Sequence, residues 1–497
     1  MPIVLGPILR FQGIQHNQWK VSVLLVTENE SIAPAVRYGV GRFLAGMTRI
    51  GERDFDTAMN WQMTRHDITV EMMATEQQID YEVDNVVYRF TIPAVGALPR
   101  CSYAACNGFS DAKLIKKVDS PNQLWNDLLA KHAQNSFHLL LMGGDQLYTD
   151  SMWQELPSLH AWSESDNRSV LPLTDQMRRE VGDFFYRIYV KRWAQKEVKQ
   201  ALASIPTLMM WDDHDILDGW GSYPKEQQES AVFQHIFEQA KECFVLYQLH
   251  GASTDGGILP NQQAFNSFYQ IGKLGILVLD LRSERTMEQV ISSESWDVIY
   301  QKLDNLAVNQ LDHLFVMSSI PVVHADFNAL ESLFGIIPGR QELEDDLRDQ
   351  WLSRPHRYER IRLIHRLLDF SANKKCRVTL LSGDVHVAAL GMIESSRHAT
   401  QGNTHIINQL TSSGIVHPSP NAVVLFFLNH IGGEIETIDR DITARMTEFP
   451  TTNRCFIGSR NWLSLEPDDI NLQRRYWANW WVEGEDAPYT KVIHAAS

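Results

Sequence analysis

Short apolar runs that end in polar, potentially metal-binding side chains recur through the middle of the chain. One run, HLLLM at residues 138–142, is followed by two glycines and Asp145. An uninterrupted apolar run of this length is typical of a buried strand, and glycines let the backbone turn sharply at its end. Taken alone, the pattern fits equally well an aspartate that merely caps a strand.

The same pattern occurs at residues 102–105, 206–211 and 378–382. Metal-capable side chains follow these runs: Cys106 and Asn107, then Asp212, Asp213 and His214, then Asp384 and His386. Open α/β sheets form their sites at the carboxyl ends of their strands. Because four independent coincidences are less plausible than one, we predict that the four runs deliver ligands to one shared metal site.

The pattern elsewhere predicts three regions. Residues 1–98 alternate between apolar and polar positions in short β-branched stretches, which predicts a small all-β, sandwich-like domain. Residues 99–420 alternate strands with helices, which predicts an α/β catalytic domain. Residues 421–497 contain four tryptophans, and we predict an aromatic-rich extension packed on the catalytic domain, with pocket lining as the alternative.

The charge of the chain limits its partners. Acidic residues outnumber basic ones by 61 to 45, and the net charge is −16. Such a chain is not expected to bind long nucleic acids or anionic membranes nonspecifically. It can still bind a small anionic substrate where metal ions reverse the charge locally.

The cysteine content fits a reducing compartment, and the hydropathy pattern bears on export and membrane spanning. The five cysteines are odd in number and widely spaced, so no disulfide framework or Cys-x-x-Cys zinc module is visible. The N-terminus lacks the pattern of a secretory signal, and the longest apolar run, residues 422–428, is too short to span a bilayer. We therefore expect a cytoplasmic protein.

The residue types suit hydrolysis of a phosphate ester by two metals. Asp145 is the candidate for a bridging carboxylate, and Asp384 and His386 are spaced to serve adjoining sites. Cys106 and Tyr148 would favour iron, whereas oxygen ligands from Asp213 and Asn107 would suit calcium, magnesium or manganese. His214 is a candidate general acid for the leaving alkoxide.

Each of these residues also has an ordinary structural interpretation. Cys106 and Tyr148 could be core side chains, and His214 and His386 could be buried histidines with satisfied hydrogen bonds. Asp212 could cap the segment that follows it. Arg282 could clamp a phosphate or could pair with Asp280.

Five motifs together resemble the PhoD-like alkaline phosphatases of the metallophosphoesterase superfamily. They span residues 100–415 in the order of that family: Ala105-Cys106-Asn107, Gly144-Asp145-Gln146-Leu147-Tyr148, Trp211-Asp212-Asp213-His214-Asp215, Leu279-Asp280-Leu281-Arg282 and Ser382-Gly383-Asp384-Val385-His386. The family's third motif ends in glutamate, where this chain has Asp215.

The resemblance implies a four-layer αββα sandwich and a site that holds Fe³⁺ together with Ca²⁺. By motif, iron would be bound by Cys106, Asp145, Tyr148 and His386. Asp145 would be shared with calcium, close to Asp384 and the Asp213 region. Asp218-Gly219-Trp220 stands where the family has Asn-Asn-Trp, so Asp218 would replace an asparagine ligand. This change keeps Mn²⁺, Mg²⁺ and Zn²⁺ open as alternatives.

The sequence thus predicts a metal-dependent phosphoric ester hydrolase that acts on small monoesters, diesters or both. A metal-bound hydroxide would attack phosphorus, and His214, Asp213 and Arg282 are the candidate catalytic residues. The alternatives are a nuclease-type or nucleotide phosphodiesterase on the same scaffold and a catalytically inactive metal-binding protein.

Overall fold

The structure is a computed structural model that describes residues 3–28, 34–39, 41–55, 60–251, 256–261, 263–324, 351, 355–396, 403–468 and 474–496. In chain order the strands are β1 (Ile3–Gln15), β2 (Gln18–Glu28), β3 (Val36–Tyr38), β4 (Phe43–Leu44), β5 (Gly46–Asp54), β6 (Asn60–Glu71), β7 (Gln77–Val83), β8 (Val86–Ile92), β9 (Cys101–Ala104), β10 (Leu139–Gly143), β11 (Thr207–Met210), β12 (Ser267–Ile271), β13 (Leu274–Val278), β14 (His313–Met317), β15 (Arg377–Ser382), β16 (Ala388–Ser395), β17 (Ile406–Ser412), β18 (Glu436–Asp439), β19 (Ile442–Thr447), β20 (Phe456–Ile457), β21 (Asn461–Asp468), β22 (Arg475–Val482) and β23 (Tyr489–Ile493).

The helices of the described ranges are α1 (Ala112–Ile115), α2 (Gln123–Gln134), α3 (Met152–Glu155), α4 (Pro157–Ser163), α5 (Asp175–Trp193), α6 (Lys196–Ser204), α7 (Lys225–Gln228), α8 (Ala231–Cys243), α9 (Ser293–Asp304), α10 (Arg357–Lys374) and α11 (Ala422–Ile431). Side-chain caps begin several of them. Thr174 accepts a hydrogen bond from the backbone N–H of Met177 at the start of α5, and Ser230 does the same for Phe233 at α8. Across the described ranges, none of the helices combines the length and the apolar character that a membrane crossing requires.

Two large sheets form the framework. The first has ten strands in the order β23-β22-β21-β9-β10-β11-β1-β2-β6-β5, and β9, β10, β11 and β1 run parallel within it. The second has nine strands in the order β12-β13-β14-β15-β17-β16-β19-β18, with β20 paired to β16, and β13, β14, β15 and β17 run parallel. Parallel strands buried on both faces need continuous apolar sequence, which the runs in β10 and β13 supply.

Three apolar clusters form the core. One joins the two large sheets and includes Leu141 of β10 and Ile276 of β13. A second covers the other face of the first sheet with helices such as α5, through Phe185. The third covers the other face of the second sheet with α9 and α10, through Ile299 and Leu367. The predicted α/β class is confirmed at the level of a mixed α/β protein with several sheets.

The N-terminal strands differ in arrangement from the predicted self-contained β domain over residues 1–98. β1, β2, β5 and β6 continue the first large sheet, and β1 pairs in parallel with β11, with Arg10 opposite Thr207. β3, β4, β7 and β8 form a separate four-stranded sheet. The alternating pattern identified strands but not their partners, because a strand such as β1 gains its second buried face only from the rest of the fold.

The C-terminal region likewise completes both large sheets. β18–β20 extend the second sheet, whereas β21 pairs with β9 and joins β22 and β23 to the first sheet. Trp480 is fully buried in the cluster between the sheets, and its Nε1 donates to the carbonyl of Thr411 at 2.8 Å. Residues 421–497 were predicted to pack on the catalytic domain, but their strands are part of its sheets.

Candidate metal centre

The candidate ligands follow the carboxyl ends of parallel strands in both large sheets. Cys106 follows β9, Asp145 follows β10, Asp213 follows β11, and both Asp384 and His386 follow β15. Strand ends from the two sheets approach closely here, since the Sγ of Cys106 lies 4.0 Å from the carbonyl oxygen of Asp384. The structure therefore brings together side chains that are up to about three hundred residues apart in sequence, as four apolar runs ending at one edge would require.

The backbone at four of these residues is in the left-handed region. The φ angles are 57° at Cys106, 52° at Asp145, 68° at Asp384 and 52° at His386. Non-glycine residues adopt such angles rarely, and they cost free energy that surrounding structure must supply. Four of the predicted ligands thus share a strained backbone conformation at the strand ends.

Cys106, Asp145 and His386 form a first candidate group, with ligand atoms within 4.8 Å of one another. The Sγ of Cys106 donates to Oδ2 of Asp145 at 3.3 Å and lies 3.0 Å from the hydroxyl of Ser413. Ser413 also accepts the backbone N–H of His386 at 2.9 Å. The other carboxylate oxygen of Asp145, Oδ1, is buried and has no hydrogen-bond partner among the described residues.

Tyr148 adjoins this group, because its hydroxyl lies 3.1 Å from Nε2 of His386. Burial raises the pKa of the Tyr148 phenol well above its usual range, and the nearby Cys106 and Asp145 raise it further. Burial and the Asp145 carboxylate likewise raise the pKa of Cys106. Both groups are therefore neutral in this acidic pocket, and a bound cation is the partner that would favour their ionised forms.

Asp145, Asp212 and Asp213 form a second group within the same 4.8 Å limit. Burial raises the pKa of Asp145 well above its usual range, and the Asp212 carboxylate adds to the shift. Arg282 offsets part of this negative charge: its Nε donates to Asp212, and its NH2 lies 3.2 Å from Oδ1 of Asp213. Carboxylates packed this closely repel one another, and either protonation of one of them or positive charge among them relieves the repulsion.

The contacts of Arg282 bear on both roles considered for it from sequence. Its side chain is fully buried and contacts Asp212 and Asp213, whereas Asp280 accepts a hydrogen bond from its backbone N–H at 3.1 Å. A second hydrogen bond runs from NH1 to the carbonyl of Trp220 at 3.1 Å. The guanidinium is thus a counterion of Asp212 and Asp213, and its role as a phosphate clamp stays a prediction.

Asp213, His214 and Asp218 form a third group of close ligand atoms. The Nδ1 of His214 lies 2.8 Å from Oδ2 of Asp150, which can only accept, so Nδ1 carries the proton. Burial lowers the pKa of His214, but neighbouring carboxylates outweigh it and hold the pKa well above its usual range. His214 is therefore arranged as an imidazolium held by Asp150.

Two predicted ligands have other contacts. The Oδ1 of Asn107 accepts hydrogen bonds from Trp125 Nε1 at 2.9 Å and from Arg192 NH2 at 2.5 Å. This oxygen therefore accepts hydrogen bonds from side chains of α2 and α5. Such a structural role differs from the predicted role as a metal ligand. The carboxylate of Asp384 belongs to none of the three groups found among the described residues, although its backbone adjoins Cys106.

His417 is a residue of the site that the sequence interpretation missed. Its ring stacks on His386 with centroids 3.7 Å apart and on Tyr148 at 5.3 Å. Its Nδ1 donates to the carbonyl of Pro418 at 2.8 Å, and its Nε2 lies 3.1 Å from the hydroxyl of Ser110. Burial lowers its pKa to about 4. The available signal was β17 (Ile406–Ser412), a further strand that is followed by Ser413 and Gly414 shortly before His417.

The donor set fits a metal centre. Thiol, phenol, imidazole and carboxylate groups converge, and Asp145 is shared between the first two groups. Its Oδ1 is buried and forms no hydrogen bond within the described part of the chain. Leaving a buried carboxylate oxygen without a partner is costly, whereas a coordinated cation satisfies it. The residues present would therefore hold a metal in at least the first two groups.

Comparisons with known proteins give the family. A protein of Saccharomyces cerevisiae described as "Uncharacterized protein YGR266W" is 28% identical, over 94% of this chain and 81% of its own length. No solved structure matches the chain. The family model described as PhoD related phosphatase matches residues 102–338 and 336–434, which include all five motifs and the three groups of candidate ligands. The chain belongs to this family of PhoD related phosphatases.

Proposed function

We propose that the protein is a metal-dependent phosphoric ester hydrolase that acts on small phosphate monoesters, diesters or both. The observation that carries the proposal is the shared position of Asp145, whose carboxylate belongs to two adjoining groups of ligand atoms. A carboxylate so placed is suited to bridge two metal ions, and paired metals are the usual means of activating water against phosphorus at neutral pH.

The first group suits iron, and the second suits a harder cation such as calcium. Cys106, Tyr148 and His386 provide sulfur, phenol and imidazole donors, whereas Asp212 and Asp213 provide only carboxylate oxygens. Manganese, magnesium and zinc remain alternatives. When bound, the metals would supply positive charge to the phosphoryl oxygens and would lower the pKa of a water molecule that acts as the nucleophile.

The chain's own side chains would perform the proton transfer and the charge balance. His214 is held through Nδ1 by Asp150, so its Nε2 is available to protonate the leaving alkoxide. Asp213 accepts the backbone N–H of Gly219 at 2.8 Å, which fixes the carboxylate beside His214. Arg282 would keep Asp212 and Asp213 close together by offsetting their repulsion.

We also propose that the two large sheets and the helices on their outer faces form a four-layer αββα sandwich. Support comes from the three apolar clusters, one between the large sheets and one on the outer face of each. Two sheets packed in this way would align the carboxyl ends of β10 and β15 at one edge, where ligands from both sheets are needed.

The test is Asp145→Asn, assayed with p-nitrophenyl phosphate and bis(p-nitrophenyl) phosphate alongside elemental analysis of protein purified without chelators. The variant should keep its fold but lose bound metal, and kcat/KM should fall by at least about 100-fold. Asp127→Asn is the control, because Asp127 accepts a hydrogen bond from Trp462 and belongs to none of the three ligand groups of the described residues. Wild-type protein that binds metal without any turnover would instead support a binding protein.

A further inference from the structure

Asp215 is a buried carboxylate that none of the proposed catalytic steps uses. Its Oδ2 accepts the backbone N–H of Asp212 at 2.9 Å and of Gln146 at 3.2 Å. Its Oδ1 accepts the backbone N–H of Leu147 at 3.2 Å and the Nε2 of Gln248 at 3.3 Å. Each oxygen therefore accepts two hydrogen bonds, and the carboxylate has little capacity left to coordinate a metal.

An ordinary helix cap explains only part of this arrangement. Asp213–Asp215 form a single 3₁₀ turn, and the bond from Asp212 N–H to Asp215 belongs to its capping box. The bonds from Gln146 and Leu147 come from a different loop, the one that follows β10. A cap for the turn would not need donors from that loop.

We propose that Asp215 is a positioning residue that fixes the loop carrying Asp145 against the loop carrying Asp212 and Asp213. Gln146 and Leu147 are the first and second residues after Asp145, and Asp212 is itself a candidate ligand, so the bonds act within two residues of the candidate ligand carboxylates. This inference rests on the proposed function, because the carboxylates it aligns are those of the second candidate metal group.

Gln248 supports Asp215 from the opposite side. It ends a π-helical turn, Phe244–Gln248, that continues α8, and its fully buried amide also donates to the hydroxyl of Tyr189 at 3.0 Å. Such turns are rare and frequently occur at functional sites. Here the last side chain of the turn reaches the carboxylate that joins the two candidate ligand loops.

The arrangement requires a carboxylate rather than an amide. In Asp215→Asn, one of the two oxygens becomes an NH₂ group, which would face backbone N–H donors on whichever side it lies. The amide of Gln248 can rotate to accept from it, but the backbone of Leu147, Gln146 or Asp212 cannot. At least one loop must then move or leave a buried donor unsatisfied, which is costly.

The experiment compares Asp215→Asn with Glu359→Gln in the full chain after removal of metal by dialysis against a chelator. Glu359 is a matched control: its carboxylate accepts backbone N–H groups from Val290 and Ile291 and the Nε1 of Trp296, away from the candidate ligands. Mn²⁺ is titrated by calorimetry, and Tm is measured for each metal-free variant.

Both variants should lower Tm, but only Asp215→Asn should raise the Kd for Mn²⁺, by roughly 10- to 100-fold, as for other residues that orient metal ligands. An unchanged Kd in Asp215→Asn would overturn the proposal while leaving the proposed function intact. An equal rise in Glu359→Gln would overturn it as well, because general destabilisation would then account for the effect. Wild-type protein that binds no Mn²⁺ and hydrolyses no ester would overturn both proposals.

If Asp215→Asn does not fold, Gln248→Met provides the second test. Methionine is similar in size to glutamine but cannot donate to Asp215, so it weakens the support and leaves all three backbone bonds in place. The Kd for Mn²⁺ should rise by about 10-fold, the lower end of the same range. Wild-type affinity in a folded Gln248→Met variant, together with loss of folding in Asp215→Asn, would overturn the metal-positioning role.

Discussion

Aspartates of the same candidate site differ in chemistry because their contacts differ. Asp145 has a buried carboxylate oxygen that no described residue hydrogen-bonds, Asp212 is paired with Arg282, and Asp215 is saturated by N–H donors. Burial raises the pKa of the Asp215 carboxyl group to about 7, although the hydrogen bonds from backbone N–H groups oppose this shift. The first two are therefore suited to coordinate a cation and the third to hold the loops that carry them.

His214→Ala tests the proton transfer at the scale of one residue. The variant should still bind metal, because the first two ligand groups do not contain His214. Since general acids contribute most where the leaving group is poor, kcat/KM for alkyl phosphates should fall by about 10²- to 10⁴-fold, and for p-nitrophenyl phosphate much less. The measurement is the slope of log(kcat/KM) against leaving-group pKa, which should become steeper.

Asp150→Asn serves as the companion variant, because it leaves the imidazole in place and weakens only its carboxylate partner. It should steepen the slope less than His214→Ala does. Equal losses for good and poor leaving groups in both variants would exclude the general-acid role.

The residues predicted from sequence were those whose chemistry lies in a short local motif. Cys106, Asp145 and His386 each follow an apolar run, and the structure groups their ligand atoms. The role of Asn107 depends on Arg192, which lies 85 residues away in the chain, and local sequence does not reveal that partner. His417 was missed for the same reason, because its stacking on His386 exists only after β17 pairs with β15.

At the scale of elements, glycines let strand ends approach each other, both within the first large sheet and between the two large sheets. A Cβ at Gly383, after β15, would lie 2.5 Å from the Cβ of Ala105, after β9. A Cβ at Gly143, the last residue of β10, would lie 1.9 Å from the hydroxyl of Tyr103. The absence of side chains at these positions permits the close packing that brings Cys106 and Asp384 together.

Gly383→Ala should therefore weaken both the fold and the metal centre. The added methyl group must push the ends of β9 and β15 apart, which should lower the free energy of unfolding by about 1–3 kcal/mol. Urea denaturation measures that loss, and elemental analysis should show reduced metal content. Gly46→Ala is the control, because a Cβ at Gly46 would meet no atom within 4 Å. Equal effects of the two substitutions would show that packing at Gly383 has no special role.

Strand positions were easier to predict than strand partners. The apolar runs of β10, β11 and β15 were recognised because strands buried on both faces are continuous in hydrophobicity. The pairing of β1 with β11 joins Arg10 to Thr207, almost two hundred residues apart, and no local pattern encodes it. A hairpin such as β1–β2 looks the same in sequence whether it forms its own sandwich or extends a larger sheet.

At the scale of the whole molecule, both ends of the chain build the sheet that carries the candidate ligands. β1 and β2 flank β11 on one side, and β21–β23 flank β9 on the other, so β9–β11 lie in the interior of the sheet. The net charge of −16 adds to the negative charge of the site. A cation at the strand ends would thus offset repulsion within a framework to which distant parts of the chain contribute.

Truncation after Cys455 tests whether the C-terminal strands are integral. It removes β20–β23, which exposes the edge of β9 and uncovers apolar surface that Leu463, Leu465 and Trp480 bury between the sheets. An exposed strand edge beside an uncovered apolar face promotes aggregation, so size-exclusion chromatography should detect aggregates. Any soluble fraction should lack bound metal, because β9 leads directly to Cys106. Truncation after Ala495 is the control, since it keeps β23 and the contact of the His494 carbonyl with Arg377. A soluble, metal-containing chain ending at Cys455 would instead mean that residues 456–497 are an accessory extension, as the sequence pattern alone had indicated.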